Sequence, residues 1–215
     1  MFTLVFAARK GGVGKTTLAS TFAYIAYQRA LRAAEPGRTP LVATVDLDPQ
    51  GCATRFFNAR GGKPGPDLIE ATLGTLPVIL DELRELGYVA VFIDCAPGHG
   101  AIVAAAMRSA TAVVIPAKSS ELDLEATALT IKMAEAAGVP YWVLLNDGTF
   151  RTRAVGAAKT ALEEMGVPLL PIVHRRVDIP LAGGETAIER APGSAAAKEL
   201  LKAYDALAVM LCLPI

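Results

Sequence analysis

Lys10-Gly11-Gly12-Val13-Gly14-Lys15-Thr16-Thr17 follows directly on an apolar run, Phe2 to Ala7, and leads into a segment whose apolar residues Leu18, Phe22 and Ile25 recur at helical spacing. Strand, glycine-rich turn and helix in that order wrap main-chain N–H groups around a phosphate and add the positive end of a helix dipole. An inward-turned loop needs residues without a Cβ at crowded or left-handed places, and Gly11, Gly12 and Gly14 supply them. Lys15 is spaced to reach β- and γ-phosphates. The Thr16 hydroxyl suits a Mg2+ shell, because a hard cation takes oxygen ligands and retains several waters. Thr17 falls at the α-phosphate, and Val13 belongs to the same cradle.

The loop departs from the usual pattern at its head. Arg9 stands where a glycine is expected five positions before Gly14, and Lys10 follows it. A second lysine is redundant in a monomer whose Lys15 and Mg2+ already neutralise the same phosphates, so Lys10 points to a partner.

Outward from the loop, short apolar runs alternate with helical patterns along the whole chain, as a parallel sheet covered by helices on both faces requires. The expected strands are Phe2 to Ala7, Leu41 to Asp46, Tyr88 to Asp94, Ala112 to Pro116, Val139 to Asn146 and Pro168 to Val173. Leu76, Ile79, Leu80, Leu83 and Leu86 mark a further helix face, and the Gly/Pro clusters at Glu35 to Pro40 and Gly61 to Pro66 read as surface loops. Residues 1–215 thus read as one α/β domain, a three-layer, doubly wound, mostly parallel sheet of the P-loop NTPase type.

Composition narrows the setting. The chain is 53% hydrophobic and 20% charged, ample for a buried core and unlike a disordered chain. Its 21 Lys and Arg balance 21 Asp and Glu, so an anionic partner must be held by a local patch. Cys52, Cys95 and Cys212 are odd in number and form no C-x-x-C pair, which disfavours a disulfide framework and a zinc or iron–sulfur clip and fits a reducing cytoplasm. Met1 to Ala8 lacks a basic leader and reads as a strand rather than a signal peptide, and no uncharged apolar run approaches a membrane span.

Two acidic strand ends accompany the loop. The second expected strand runs into Val45-Asp46-Leu47-Asp48-Pro49-Gln50-Gly51, and the third closes as Val91-Phe92-Ile93-Asp94-Cys95-Ala96-Pro97-Gly98. Ligands of open α/β sheets gather at carboxyl strand ends, so both acidic segments face the phosphate loop. Asp94 reads as a ligand of a Mg2+ water, with the Gly98 N–H near the γ-phosphate. Cys95 is a packing residue. His99 is a solvated loop residue.

Lys10 to Thr17 resembles the deviant Walker A motif of the ParA/MinD superfamily, and Asp46 to Gly51 resembles the D-x-D-P-Q-G string of ParA proteins. The resemblance covers most of the chain, including Pro116 to Asp123, which resembles the family's dimer-face segment without its usual proline near Ser120. It implies an ATP- and Mg2+-dependent ATPase that forms a sandwich homodimer. In that dimer Lys10 acts in trans, Asp48 orients the attacking water, Asp46 supports the metal and lysine shell, and Asn146 meets the adenine. With one Asp to position water, turnover is expected to be slow.

With the loop starting at residue 10, no N-terminal helix-turn-helix fits before it, so the resemblance is to small ParA-type partition or positioning ATPases. It implies nonspecific DNA binding by the dimer, association with the nucleoid in the cytoplasm, a carried cargo, and a ParB-like or other small adaptor that stimulates hydrolysis. The candidate DNA contacts are Arg151, Arg153, Arg175, Arg176, Arg190, Lys198 and Lys202. The final helix, Ala195 to Leu211, carries Leu200, Leu201, Tyr204, Leu207 and Leu211 on one side and is poor in lysine, so it is expected to pack on the domain rather than lie on a membrane as in MinD-like proteins. Two other readings use the same loop, a dethiobiotin synthetase-like enzyme that phosphorylates a carboxylate and an iron–sulfur carrier. The first has no need of Lys10 together with Asp48 to Gly51, and the second lacks its paired cysteines.

Overall fold

The nearly unbroken apolar rows become strands buried on both faces. Along β1 (Phe2–Phe6) the side chains alternate between two cores, Leu4 and Phe6 entering one while Val5 enters the other, joined there by Ala7 just past the strand. The computed structural model of the chain describes residues 1–35, 37–98, 100–148, 153–174 and 183–211. Within them α1 (Lys15–Ala33), β2 (Val42–Asp46), α2 (Cys52–Ala59), β3 (Asp67–Glu70), α3 (Leu76–Glu85), β4 (Ala90–Asp94) and α4 (Ala101–Ser109) follow β1. The chain continues through β5 (Ala112–Ala117), α5 (Glu121–Ala136), β6 (Tyr141–Gly148), α6 (Arg153–Glu164), β7 (Val173–His174), α7 (Ala187–Arg190) and α8 (Ala195–Met210).

Seven strands among the described residues form one parallel sheet in the order β3-β2-β4-β1-β5-β6-β7. The first core joins α1, α7 and α8 to one face, and the second joins α3, α4, α5 and α6 to the other. This is the doubly wound α/β arrangement that the alternation of runs implied. In the first core Phe22 of α1 meets Phe6 edge-on at 5.5 Å and Tyr204 of α8 at 5.5 Å, so the first strand, first helix and last helix lock together through one aromatic chain.

Four sequence expectations shift. The edge strand β3 was unforeseen, because Asp67-Leu68-Ile69-Glu70 offers only two apolar residues between charges, a pattern that suits an edge and hides it from a hydrophobicity reading. The expected strand Pro168 to Val173 is corrected: Leu169 makes a single bridge to Val143, and the ladder resumes only at Val173–His174. Pro168 and Pro171 have no N–H to give a ladder, which explains the interruption. Leu86 lies past the end of α3 and is 66% exposed, whereas Leu76, Leu80 and Leu83 are buried as the pattern required. The C-terminal helix ends at Met210, with Leu200, Tyr204 and Leu207 buried.

A buried guanidinium fixes the position of α2. Arg60, 4% exposed, donates from Nη1 to Gly184 O (2.9 Å) and Glu189 Oε2 (3.0 Å) and from Nη2 to Pro64 O (2.8 Å), and it lies over the Tyr24 ring at 5.5 Å. Gly184 permits this approach, since a Cβ there would fall 2.3 Å from the Arg60 main-chain nitrogen.

Replacing Phe22 by Ala removes a fully buried ring from the contact of β1, α1 and α8 and is expected to destabilise the protein by about 3–5 kcal/mol. Urea unfolding followed by circular dichroism measures it. A loss under about 1 kcal/mol would mean that the three elements are not locked through this ring.

Candidate functional site

Strand register builds the site. Asp46 pairs with Asp94 across β2 and β4, and Asp94 pairs with Phe6 across β4 and β1, so the last residues of three strands stand at one level. The glycine loop leaves β1 at that level and enters α1 at Lys15. Gly12 (φ 68°) and Gly14 (φ 95°) are left-handed as expected, while Gly11 is neither left-handed nor crowded by protein atoms.

Gly14 is the N-cap of α1, and a Cβ there would fall 2.2 Å from Asn146 Nδ2 at the end of β6. Asn146 is 9% exposed and donates to Val13 O at 2.9 Å. The side chain expected at the adenine is thus hydrogen-bonded to the phosphate loop.

Lys15 is 6% exposed and turns back over the loop, its Nζ donating to Lys10 O at 3.4 Å. Burial lowers its pKa, and the nearby carboxylates of Asp94 and Asp48 oppose that shift. Thr16 and Thr17 are half-buried in the first turn of α1.

The three acids have different environments. Asp46 accepts from Asp48 N (3.0 Å) through Oδ1 and from Thr54 N (2.9 Å) and Thr54 Oγ1 (2.9 Å) through Oδ2. Expected to support the metal and lysine shell, it ties the start of α2 to the end of β2 through these donors. Asp48 is half-buried, accepts from Gln50 N at 2.9 Å in a tight turn, and adds to the field at Lys15. Asp94 is fully buried, and neither of its carboxylate oxygens has a hydrogen bond of ordinary geometry. Burial pushes its pKa up to about 7; the Thr16 hydroxyl and Lys15 pull down, and Asp46 and Asp48 push up.

An orphaned, buried carboxylate beside a threonine hydroxyl fits a Mg2+ ion, which takes one or two protein oxygens and otherwise water and phosphate. Thr16 and Asp94 are the residues that suit it. Cys95 is 1% exposed with its thiol pKa pushed up by burial, as befits a packing residue. The Gly98 N–H, expected near the γ-phosphate, donates to Ala8 O at 3.4 Å instead.

Lys10 at the loop head is half-exposed and forms an ion pair with Asp123 in the first turn of α5. Sequence reasoning missed this partner, although Ser120-x-x-Asp123 carries the signature of a helix start; Ser120, where the family's proline is missing, accepts from Asp123 N as N-cap. It also missed Arg60, an ordinary surface arginine in any pattern reading.

Among the candidate DNA contacts, Arg153, Lys198 and Lys202 are exposed, and Arg190 donates to Glu185 O at 2.9 Å. α6 and α8 cover opposite faces of the sheet, so Arg153 does not share a helix layer with Lys198 and Lys202. Arg151, Arg175 and Arg176 lie outside the described residues, as do His99 and Cys212.

Because the Asp94 pKa is raised in the folded protein, its ionisation opposes folding. The penalty is absent below the ordinary value of 3.8, grows up to about 7 and is fully present above. Asp94→Asn is therefore expected to raise the melting temperature of the nucleotide- and metal-free protein by a few degrees, more at pH 8 than at pH 5. Equal gains in calorimetry at both pH values would refute the strained-carboxylate account.

Comparison with known proteins agrees with this geometry. The chain is 33% identical over 183 residues to the maintenance of carboxysome distribution protein A of Halothiobacillus neapolitanus, a match covering 81% of this chain and 80% of that protein. It is 32% identical over 153 residues to the chromosome-partitioning ATPase Soj of Thermus thermophilus, covering 58% of each. Its fold superposes on an ATP complex of McdA from Cyanothece with a TM-score of 0.77 at 18% identity, over 100% of this chain and 98% of that one. The model of the CobQ/CobB/MinD/ParA nucleotide binding domain matches residues 4–188, and with the phosphate loop, the paired strand ends and these relatives it makes the chain a member of that family.

Proposed function

We propose that the protein is an ATPase of the positioning type, which closes on ATP into a sandwich homodimer, binds DNA without sequence preference in that state and carries a cargo over the nucleoid. The observation that carries this reading is the second lysine, Lys10, at the head of a loop already served by a buried Lys15, beside the Asp46 to Gly51 string. The family takes in CobQ and CobB beside MinD and ParA, so membership alone does not select the function. The two relatives named for carboxysome distribution and chromosome partitioning support the positioning branch.

In this reading the main-chain N–H groups from Gly11 to Thr16 hold the phosphates and Lys15 lies against the β- and γ-oxygens. Thr16 and Asp94 hold Mg2+. The ion, when bound, neutralises charge on those oxygens. Asp48 orients water, its carboxylate steadied by the Gln50 N–H. Lys10 from the partner subunit completes the charge around the triphosphate. A single carboxylate makes hydrolysis slow on its own, which leaves room for a small adaptor protein to stimulate it. Lys198 and Lys202 stand one turn apart on the exposed side of α8, and a dimer doubles them. The apolar side of α8 is buried against α1, which supports a packed helix in place of one lying on a membrane.

Sedimentation velocity with and without ATP tests the reading. Asp48→Ala is expected to accumulate as a dimer in saturating ATP. Lys15→Ala is expected to lose nucleotide binding, and Lys10→Ala to lose hydrolysis while keeping some binding. An Asp48→Ala protein that remains monomeric in ATP sinks the sandwich model.

The DNA step has its own test. Lys198→Glu with Lys202→Glu is expected to weaken DNA retention in gel-shift assays at least tenfold without altering nucleotide affinity. Unchanged mobility would move the DNA surface away from α8.

A further inference from the structure

Asp48 is followed after three residues by α2, and α2 is poorly held by packing. The helix has eight residues, of which only Ala53 and Phe56 are buried, and its N-cap Gly51 has no side chain to bond its first turn. A helix this short is not stable by itself. Its side facing α1 borders a cavity of about 360 Å3 with Thr16 and Gly184 in place of a close-packed contact. Polar ties at the two ends therefore decide where α2 lies. At its start the tie is Asp46, which accepts from Thr54 N and Thr54 Oγ1 with one oxygen and from Asp48 N with the other.

At its end the tie is Arg60. Its guanidinium donates to Gly184 O, Glu189 Oε2 and Pro64 O, and its main-chain nitrogen is the atom that a Cβ on Gly184 would strike. The anchor is itself firm. Glu189 Oε2 also accepts from Thr186 N at 2.8 Å in a capping box, and Ala187 beside it belongs to the core shared with α1 and α8. The guanidinium lies over the Tyr24 ring of α1 as well. The two ties thus refer α2 to different parts of the molecule, Asp46 to β2 and Arg60 to the layer of α1, α7 and α8. α1 begins at Lys15 and Thr16, beside the phosphate loop. An acid that orients water is effective only while that water stands in line with the phosphates, and a misplacement of about 1 Å costs about a hundredfold in rate.

From this geometry we propose that Arg60 is a positioning residue for ATP hydrolysis: it locks α2 to the layer that carries the phosphate-binding helix and, through Thr54 and Asp46, holds Asp48 at its distance from the triphosphate. The proposal rests on the reading of Asp48 as the acid that orients water and adds the residue that aims it. Because the Arg60 donors are engaged by Gly184, Glu189 and Pro64 rather than by the phosphate loop, its loss is felt in the rate of hydrolysis and not in nucleotide affinity.

The experiment follows single-turnover hydrolysis of radiolabelled ATP by the full chain with Mg2+, beside calorimetric affinity for a nonhydrolysable ATP analogue and sedimentation velocity in ATP. Arg60→Lys keeps a charge for Glu189 but lacks the fork that reaches Gly184 and Pro64. Gly184→Ala pushes the end of α2 away while leaving Arg60 itself intact. Each is expected to hydrolyse ATP about tenfold more slowly than wild type, with affinity and dimerisation unchanged to within about twofold. A folded Arg60→Lys protein with the wild-type rate overturns the proposal and leaves the Asp48 reading standing. A rate and an affinity that fall together also overturn it, since Arg60 then shapes the binding pocket and does not aim the acid. Wild type and Asp48→Ala that hydrolyse ATP equally fast, or not at all, overturn both. Should Arg60→Lys and Gly184→Ala fail to fold, Glu189→Gln decides: it keeps an acceptor for Thr186 N, weakens the pair with Arg60 and is expected to slow hydrolysis about threefold at unchanged affinity. An unchanged rate in that variant refutes the positioning role.

Discussion

In-register pairing of three parallel strands is the constraint on which the site depends. Because Phe6, Asp94 and Asp46 end β1, β4 and β2 at one level, the loop after β1 emerges beside two carboxylates whose distance from it is set by the hydrogen-bond ladder. A slip of one residue in β4 would turn Asp94 to the opposite face and bring its neighbour Ile93 toward the loop. The register is held by the apolar alternation itself, Phe92 facing the core of α1 and α8 while Val91 and Ile93 face that of α3 to α6.

Upon that frame the charges are arranged economically. Lys15 is buried, and the acids around it oppose the loss of its proton. Asp46 organises the start of α2 through Thr54, which leaves Asp94 as the strained, unpartnered carboxylate and Asp48 as the more accessible one. Asn146 reaches the same loop from β6, so the phosphate cradle is braced by strands on both sides of β1. A loop supported in this way needs little rearrangement to receive an anion, which is what preorganised phosphate binding requires.

The rest of the chain couples distant segments to this centre. Arg60 pins the helix that follows Asp48 to Gly184 and Glu189, so α2 and the segment leading into α8 are linked by a buried, hydrogen-bonded cation. α5 does the same for the loop head through Asp123 and Thr130. Both linkages involve side chains that read as solvated polar residues in a linear pattern, and each acquires its meaning from a contact more than a hundred positions away.

Sequence alone determined the alternation of strands and helices, the doubly wound sheet and the phosphate loop, since long apolar rows and a contiguous glycine string are local signals whose physics needs only near neighbours. It also placed Asp94 and Asp48 beside the loop, because strand ends in such a sheet converge. Tertiary structure alone decided the partners of Asn146, Asp46, Lys10 and Arg60 within the chain, for hydrogen bonds and ion pairs depend on which groups the folded chain brings within about 3 Å, and spacing along the chain carries no such distance. The edge strand β3 and the broken run from Pro168 were settled there as well, because strand pairing depends on a neighbour's free N–H and C=O groups as much as on a segment's own hydrophobicity.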